Sequence, residues 1–413
     1  MNSVCGSVVA DGETTTPTLN GRRHMKHLLT ATTLALSLGT TAIADEITIG
    51  FAIAKSGWVE AYDAPAVAAA RIRIDEINAA GGLLGKQIRW IEADTKSDQA
   101  QSASAGLQMV DEGADMLIVS CDYDFGAPAA LAAEGAGLNS FFLCAEDIKA
   151  GIQGVGPNSF SASVLAAVQG ATVAEWSVQE RDAKTGYVLL DTTIEYNKGI
   201  CTGFDWMFPK AGGEIVGTDT FLNGDASIAS QITRIKSLAE EPDVIMLCSY
   251  IPGAASAVRQ IRAAGINSTI LNGSAVDGSY WLDAAPDLSN FIVPVQGSIY
   301  GDDTRPAVNA LRDAFEAATG AGPSSTYAYP GYLLIDLWAK AVERAGTVEA
   351  SAVTAELEKM DNEPTAFGPR SFSDQLHHQN TAEMQIVEIT NGKPGVIGSF
   401  TISEPVPLDV LLK

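Results

Sequence analysis

Short apolar runs alternate with segments of helical periodicity along almost the whole chain. Several of these runs are continuously apolar, which is typical of strands that are covered on both faces of a parallel sheet. The alternation therefore predicts an α/β protein built on doubly wound parallel sheets. The predicted strands are Ile47–Ile53, Gln87–Ile91, Met116–Ser120, Ser140–Leu143, Tyr187–Leu190, Ile215–Phe221, Val244–Leu247, Thr269–Leu271 and Phe291–Val295.

The clearest helix is predicted from Pro65 to Ala80, where one face is apolar. That face carries Val67, Ala70, Ile74 and Ile77. Pro65 suits the first turn of a helix, where its missing N–H is no loss, and the pair Gly81-Gly82 ends the segment.

A chain of 413 residues is too long for one ordinary hydrophobic core, so two lobes are expected. In open parallel sheets, ligands bind outside the carboxyl ends of the strands. If the two lobes face each other across these edges, the ligand site is the cleft between them. The loops at these edges are 54–64, 121–127, 144–149, 191–198, 248–253 and 272–281.

The N-terminal region has the pattern of an export signal. A basic start at 25–27 is followed by an apolar run at 28–38 and by Ala42-Ile43-Ala44, a small-x-small cleavage site. The apolar run is too short to span a bilayer as a permanent helix. We therefore expect residues 25–44 to be a signal peptide cleaved after Ala44, residues 1–24 to be an upstream extension without a structural role, and the mature chain to reside in the periplasm.

Acidic residues outnumber basic ones, with 50 Asp plus Glu against 26 Lys plus Arg. This charge repels phosphate backbones, so nucleic acid is not an expected partner. It is typical of a soluble protein, and we expect a monomer. A cationic ligand is favoured only weakly by the net charge.

Four cysteines follow the cleavage site: Cys121, Cys144, Cys201 and Cys248. In an exported chain they favour disulfides over free thiols, and their spacings exclude a CxxC metal or redox site. The candidate pairs are Cys121 with Cys144, at the ends of successive strands, and Cys201 with Cys248. The alternative is that all four are small buried residues.

Catalytic motifs are absent from the sequence after the leader. The histidines there, His377 and His378, are adjacent in a late polar segment, and adjacent histidines rarely share a metal or build a triad. No GxSxG, HExxH or CxxC motif occurs, and the glycines at 81–86 and 151–156 fit neither a phosphate loop nor a dinucleotide fingerprint. We therefore expect neither an enzyme nor a bound cofactor or metal.

Five segments carry a family pattern in order along the chain: AIAKSGWVEAYD (52–63), DEINAAGGLLGKQI (75–88), TIEYNKG (193–199), AVRQIRAAGI (257–266) and TAFGPRSFSD (365–374). Together they resemble the leucine/isoleucine/valine-type periplasmic binding proteins, which are type I solute-binding proteins. The resemblance implies two α/β lobes joined by three hinge crossings, with lobe one at about 45–160 and 297–381 and lobe two at about 161–296 and 382–413. It also implies that the two lobes close on a solute and that an inner-membrane ABC permease recognises the closed form.

The resemblance implies aromatic site residues as well. Tyr62 matches a residue that lines the side-chain pocket of the family, and Trp58 lies in the same loop. Further pocket tyrosines are matched by Tyr196, Tyr250 and Tyr332, with Tyr329 as the alternative to Tyr332. For any one tyrosine, the alternative is ordinary packing with the hydroxyl at the surface.

The polar positions depart from the family pattern. Where relatives commonly use Ser and an Ala-x-Thr segment for the head group of an amino acid, this chain has Cys121-Asp122-Tyr123-Asp124 and Cys144-Ala145-Glu146. The acidic residue expected in lobe two is not aligned; Ser274 is nearest, followed by Asp277. The ammonium partner has therefore moved, or the ligand is not an α-amino acid.

Four carboxylates near the aromatic loops form a candidate cage for a cation, in which each ring contributes roughly 0.5–2 kcal/mol of cation–π attraction. They are Asp122, Asp124, Glu146 and Asp277. Helix capping is the alternative, favoured for Asp124 and Asp147 and left open for Asp122 and Glu146. The candidate ligand-binding residues are Trp58, Tyr62, Asp122, Tyr123, Cys144, Glu146, Tyr196, Tyr250, Ser274, Asp277 and Tyr332.

We therefore expect the solute-binding component of an ABC transporter for an amino acid of the branched-chain type or a similar small polar solute. An amide, urea, a quaternary amine or an aromatic acid is the alternative ligand. A periplasmic sensor subunit is the alternative role.

Overall fold

The computed structural model describes residues 46–412, so the expected signal peptide and upstream extension lie outside the described residues. In this part of the chain, strands form two sheets. The strands are β1 Ile47–Ile53, β2 Ile88–Asp94, β3 Met116–Val119, β4 Asn139–Phe142, β5 Ser159–Ser161, β6 Thr185–Asp191, β7 Glu214–Phe221, β8 Val244–Cys248, β9 Thr269–Leu271, β10 Phe291–Val295, β11 Met384–Thr390 and β12 Lys393–Phe400.

The first sheet has the order β2-β1-β3-β4-β5, with every pair parallel, and is the centre of lobe one. The second sheet has the order β12-β11-β10-β9-β8-β6-β7 and is the centre of lobe two. Its strands from β10 to β7 are parallel, whereas β11 and β12 are antiparallel. The prediction of an α/β protein with two mostly parallel sheets is confirmed.

The pattern of apolar runs did not predict β5, β11 or β12. Strand β5 has only three residues, and β12 is half-exposed along most of its length. Asn391 and Gly392 connect β11 to β12, and both have positive φ, as a two-residue hairpin turn requires. The Asn-Gly signal for this hairpin was present in the sequence, but the flanking residues lack the continuous apolar run by which the other strands were predicted.

Eleven helices are present in the described chain. They are α1 Glu60–Ala79, α2 Gln99–Asp111, α3 Tyr123–Gly135, α4 Ala166–Arg181, α5 Glu195–Ala211, α6 Ala229–Lys236, α7 Gly253–Ala263, α8 Pro306–Thr319, α9 Ala328–Ala345, α10 Ala350–Leu357 and α11 Leu408–Leu411. None of those in the described range combines the length and the apolar character needed to span a bilayer.

Helix α1 begins before the predicted position. It starts at Glu60 rather than Pro65, so the proline lies inside the helix and not in its first turn. The N–H that Pro65 lacks would have bonded the carbonyl of Ala61, a loss that the packing of the helix outweighs. Because of this early start, Tyr62 and Asp63 are helical and buried.

The chain passes between the lobes three times: after β5, after β10 and after α10. The three crossings lie side by side. The N–H of Val164 donates to the side-chain oxygen of Gln296 at 3.3 Å, and the N–H of Leu165 donates to the carbonyl of Gln379 at 3.1 Å. The three-crossing hinge that the resemblance implied is therefore present.

Each lobe has a pair of helices in very close contact. A Cβ atom at Gly203 of α5 would lie 1.8 Å from the carbonyl oxygen of Ala167 in α4. A Cβ atom at Gly331 of α9 would lie 2.0 Å from the carbonyl oxygen of Ala66 in α1. Only glycine permits these approaches, and they fix the helices that carry Tyr196 and Tyr62.

Candidate functional site

A cavity lies between the loops at the carboxyl ends of the two sheets, with an empty volume of about 400 Å³ that includes solvent at its mouth. Lobe one contributes Trp58, Val59, Tyr62, Cys121, Asp122, Cys144, Glu146, Asp147 and Tyr327, and lobe two contributes Ile194, Tyr196, Tyr250 and Ala275.

Seven of the candidate ligand-binding residues line this cavity: Trp58, Tyr62, Asp122, Cys144, Glu146, Tyr196 and Tyr250. They come from loops far apart in the sequence. Predictions based on strand ends and on the family resemblance thus identified residues that are distant in the sequence but line the same cavity.

The other four candidates lie outside the cavity lining. Tyr123 stacks on Phe142, and Ser274 lies directly behind the wall, where its hydroxyl bonds Glu146. Asp277 accepts hydrogen bonds from the Tyr300 hydroxyl at 2.8 Å and from the Thr326 N–H at 3.0 Å, and burial raises its pKa to about 6.

Tyr332 is on the outer side of α9, where its hydroxyl donates to Glu76 of α1 at 2.8 Å. Its alternative, Tyr329, is buried and donates to the carbonyl of Ser298 at 2.6 Å. The residue that lines the cavity is Tyr327, which immediately precedes α9. Neither tyrosine proposed from the sequence takes this position, because α9 begins at Ala328 and its turns direct them to other partners.

Aromatic rings from both lobes meet in the cavity. The ring centroids of Trp58 and Tyr250 are 5.0 Å apart, which brings lobe one against lobe two. The ring of Tyr62 lies edge-on to Trp58 at 6.1 Å and to Tyr327 at 5.6 Å. Such offset and edge-to-face pairs present both ring faces and ring edges to a ligand.

Glu146 joins the two lobes at the floor of the cavity. Its carboxylate accepts hydrogen bonds from the hydroxyls of Ser274 and Tyr327, each at 2.9 Å, and from the amide of Gln296 at 3.4 Å. Its carbonyl accepts from the N–H of Ala166 at 2.5 Å. Burial raises the pKa of Glu146 to about 7, although these hydrogen bonds oppose the shift.

Tyr196 reaches the same floor from lobe two. Its hydroxyl donates to the side-chain oxygen of Gln169 at 3.2 Å and accepts from the N–H of Ala275 at 3.0 Å. Burial raises the pKa of this hydroxyl above its usual range. Tyr196 therefore holds the backbone of the 272–277 loop as well as facing the cavity.

Asp122 stands at the position before α3, yet its side chain makes no capping hydrogen bond, and its Oδ1 atom is buried without a partner in the described structure. Burial, followed by repulsion from Asp124, raises its pKa to about 8, although the nearby N–H groups of Asp124 and Phe125 oppose the shift. The nearby Asp147 accepts from the N–H of Lys149 at 3.0 Å, and burial together with Asp122 raises its pKa well above its usual range. These are buried acids without a compensating cation in the lining.

Asp63 supports the cavity wall from behind. Its carboxylate accepts from the N–H of Cys121 at 2.8 Å, from the N–H of Ala54 at 2.7 Å and from the hydroxyl of Ser120 at 3.1 Å. Burial raises its pKa to about 6, against the effect of these three bonds. Asp63 thereby fixes the ends of β1 and β3, which carry the loops of Trp58 and Asp122.

Two disulfides stiffen the walls, one in each lobe. Cys121 pairs with Cys144, and Cys201 pairs with Cys248, so both candidate pairs are confirmed. The first pair itself lines the cavity and joins the ends of β3 and β4. The second joins α5, which carries Tyr196, to the end of β8, two residues before Tyr250.

The proposed cage of four carboxylates is only half assembled. Asp122 and Glu146 line the cavity, whereas Asp277 bonds Tyr300 and Asp124 accepts from the N–H of Glu195 at 3.2 Å. Glu195 is the first residue of α5, so Asp124 of lobe one caps a helix of lobe two. The capping role favoured for Asp124 is therefore found, but across the lobes rather than on its own helix.

The two late histidines, which lie in a segment of polar sequence, are both buried. His377 stacks on Phe160 at 3.7 Å between ring centroids, and its ring nitrogens lie near the carbonyl of Ser159 and the carboxylate of Glu358. Burial lowers the pKa of His378 to about 3. Within residues 46–412, no group of three or more potential ligands is placed to hold a metal ion.

A family model described as periplasmic binding protein matches residues 46–394. The Leu/Ile/Val-binding protein BraC3 of Rhizobium johnstonii is 27% identical over 84% of this chain and 92% of its own length. The leucine-, isoleucine-, valine-, threonine- and alanine-binding protein of Pseudomonas aeruginosa is 24% identical over 86% of this chain and 93% of its own.

Solved structures share the architecture. The substrate-binding protein LivJ of Streptococcus pneumoniae, in complex with isoleucine, is 27% identical with a TM-score of 0.73, over 87% of this chain and 99% of its own. A solute-binding protein of R. palustris in complex with benzoate is 19% identical with a TM-score of 0.69, over 88% of this chain and 98% of its own. At such low identity the second likeness concerns the fold alone.

Proposed function

We propose, on the premise that this chain belongs to the periplasmic binding protein family, that it is the solute-binding component of an ABC transporter and closes its two lobes on a small polar solute. The relatives bear names of branched-chain amino acid binding proteins, and their lengths are covered almost completely. An amino acid of that type, or a similar small polar solute, is therefore the class of ligand to test first.

The observation that carries this proposal is the contact of Trp58 with Tyr250 at 5.0 Å. It brings the strand-end loops of two separate sheets to opposite walls of one small cavity. Because both walls are needed to enclose a solute, binding and closure are coupled, and a solute that contacts both lobes shifts the population toward the closed form.

Several further expectations follow from this role. The mature chain resides in the periplasm as a monomer, delivers its solute to an inner-membrane permease and does not catalyse a reaction. Its lobes comprise 45–160 with 297–381 and 161–296 with 382–413, which the packing of α8, α9 and α10 around α1 and β4 supports. A sensor subunit of the same fold would lack permease and ATPase genes beside its own gene.

A thermal-shift screen of residues 45–413 tests the proposal, with amino acids, amides, polyamines, betaines and aromatic acids as compounds. A ligand at a hundred times its Kd adds ~2.7 kcal/mol to the free energy of unfolding. We expect Tyr250→Ala to abolish the shift with little change in the melting temperature of the empty protein. Tyr250 is suitable because it contacts Trp58 across the cleft, whereas Tyr196 holds backbone and its loss would disturb the fold.

Tyr332→Ala is the matched control, since this tyrosine lies on the outer side of α9 and bonds Glu76. It should leave the ligand-induced shift intact. The proposal is contradicted if no compound raises the melting temperature, or if Tyr332→Ala reduces the shift as strongly as Tyr250→Ala does.

A further inference from the structure

We infer that the solute carries a positively charged nitrogen and no carboxylate, and that Asp122 is its main counter-charge. This inference rests on the proposed function, because it names the class of solute that the same cavity takes.

The charge of the cavity lining disfavours a ligand carboxylate. Among the described residues, those that line the cavity include three acids, Asp122, Glu146 and Asp147, and no Lys, Arg or His. The two basic side chains nearest in sequence, Lys149 and Lys198, are both engaged with Glu195, at 2.9 Å and 2.6 Å. A ligand carboxylate would be a further anion beside buried acids, without the cation that such burial requires.

Of the three acids in the lining, Asp122 has an oxygen without a hydrogen-bond partner. The oxygens of Glu146 are occupied by Ser274, Tyr327 and Gln296, and Asp147 accepts from the backbone of its own turn. The N–H groups of Asp124 and Phe125 lie near the Asp122 carboxylate and lower its pKa, but neither makes a capping hydrogen bond, and the Oδ1 atom is buried and unpartnered. Since a buried acceptor without a donor is costly, a ligand N–H or ammonium group is the partner that this atom lacks.

The walls of the cavity are largely aromatic. Trp58, Tyr62 and Tyr250 form one contiguous set of rings beside Asp122 in the same cavity. Their faces attract cations, by roughly 0.5–2 kcal/mol per ring, and repel anions. Rings alone would also suit an apolar acid, but rings together with the unpartnered carboxylate oxygen of Asp122 favour a cation.

Protonation of the empty site gives a signature of this chemistry. Asp122 is faced by Asp63, Asp124 and Asp147 and by the hydroxyls of Tyr62 and Tyr250. With its pKa raised to about 8, chiefly by burial, Asp122 holds a proton at neutral pH when the site is empty. A cationic ligand displaces that proton, so binding releases protons and strengthens as the pH rises from 6 to 8.

Isothermal titration calorimetry with two matched sets of compounds tests the inference. Isoamylamine, leucine and isocaproate share one branched chain. Isoamylamine carries only an ammonium group, isocaproate carries only a carboxylate, and leucine carries both. Choline and dimethylbutanol share one shape and differ in the charge. We expect the ammonium member of at least one set to bind at least ~10-fold more tightly than its partners, which corresponds to about 1.4 kcal/mol.

The variant Asp122→Asn keeps the shape of the side chain and should weaken the ammonium compound by at least ~10-fold. Asp111→Asn, an exposed change at the end of α2, is the matched control and should leave affinity unchanged. Titrations in two buffers with different ionisation enthalpies should report proton release, and melting curves of both empty variants should show that they fold.

Tighter binding of leucine or isocaproate than of isoamylamine would overturn the inference and leave the proposed function standing. So would binding that weakens as the pH rises, or an Asp122→Asn variant with full affinity for the ammonium compound. Failure of every ammonium compound, while other solutes in the wider screen bind, overturns it too. Only if nothing in the wider screen binds does the proposed function fail as well.

Discussion

At the scale of single residues, Asp122 lowers the stability of the empty protein and, by the inference above, favours binding of a cationic ligand. Its pKa is about 8 in the folded protein against an ordinary value of 3.8, so the folded state holds a proton that the unfolded state releases over this interval. The contribution of Asp122 to the free energy of unfolding therefore becomes more unfavourable as the pH rises from about 4 to 8. Active sites commonly carry such a cost.

The variant Asp122→Asn should therefore be more stable than the wild type when empty. We expect a gain on the order of 1–3 kcal/mol at pH 8 that shrinks toward zero at pH 4, because the amide stays neutral throughout. Chemical denaturation at several pH values measures this difference. A difference that is constant with pH, or that grows as the pH falls, would contradict the assignment of the buried charge to Asp122.

The sequence predicted the aromatic members of the site better than its polar support. Trp58, Tyr62 and Tyr250 follow from strand ends and family segments. Tyr327, Gln169 and Asp63 were missed, because their roles depend on where α9 begins and on which backbone N–H groups lack partners. No spacing in the sequence reports those facts, although an Asp inside an otherwise apolar helical face was a usable signal for Asp63.

At the scale of elements, the two disulfides have different relations to the cavity. Cys121 and Cys144 line it and flank the acids Asp122 and Glu146, whereas Cys201 and Cys248 lie behind the wall of lobe two. The first closes a loop with a sequence separation of 23 and the second one of 47, so the second constrains the unfolded chain somewhat more.

We expect the double variants Cys121→Ser/Cys144→Ser and Cys201→Ser/Cys248→Ser each to lose ~2–4 kcal/mol of stability, with a slightly larger loss for the second pair. Ligand affinity should fall mainly in the first pair, since only that bond holds two lining acids directly. Denaturation curves and titrations on the same preparations separate the two effects. Equal losses of affinity would show that binding depends on the stiffness of each lobe as a whole, and not on how the first disulfide positions the residues that line the cavity.

Elements were predictable where the apolar pattern was strong. The strands β1, β9 and β10 have the predicted bounds, because buried parallel strands show continuous apolar runs. The start of α1 was not predictable in the same way. The turn before Pro65 buries Tyr62 and Asp63 because they contact the site, and they do not continue the regular apolar stripe of the helix.

At the scale of the whole molecule, polar contacts at Glu195 hold the lobes together. Lys149 of lobe one lies 2.9 Å from Glu195, and Asp124 of lobe one accepts from the Glu195 N–H. Lys198 also pairs with Glu195, at 2.6 Å, but belongs to the same helix of lobe two. The first lysine therefore acts on closure, and the second does not.

Replacing Lys149 by Met should favour the open form. Exposed ion pairs contribute about 0–1 kcal/mol, so we expect a ~2–5-fold loss of affinity without a change in ligand preference, and a larger radius of gyration of the ligand-free protein in solution scattering. Lys198→Met is the control and should change neither quantity. Equal effects of the two variants would mean that the charge near Glu195, and not the contact between the lobes, is responsible.

Two lobes were expected from the length of the chain, and the three crossings were implied by the family resemblance. The contacts between the lobes did not follow. Asp124 was expected to cap its own helix, and it caps α5 of the opposite lobe instead, since closure brings that helix start within reach.

The contact of Trp58 with Tyr250 has a consequence for observing the protein at work. When the cleft opens, this indole leaves Tyr250 and gains water, whereas the indoles of Trp176, Trp281 and Trp338 are buried. The chain therefore carries a built-in fluorophore at the moving edge, and its own emission reports opening and closing without any attached dye.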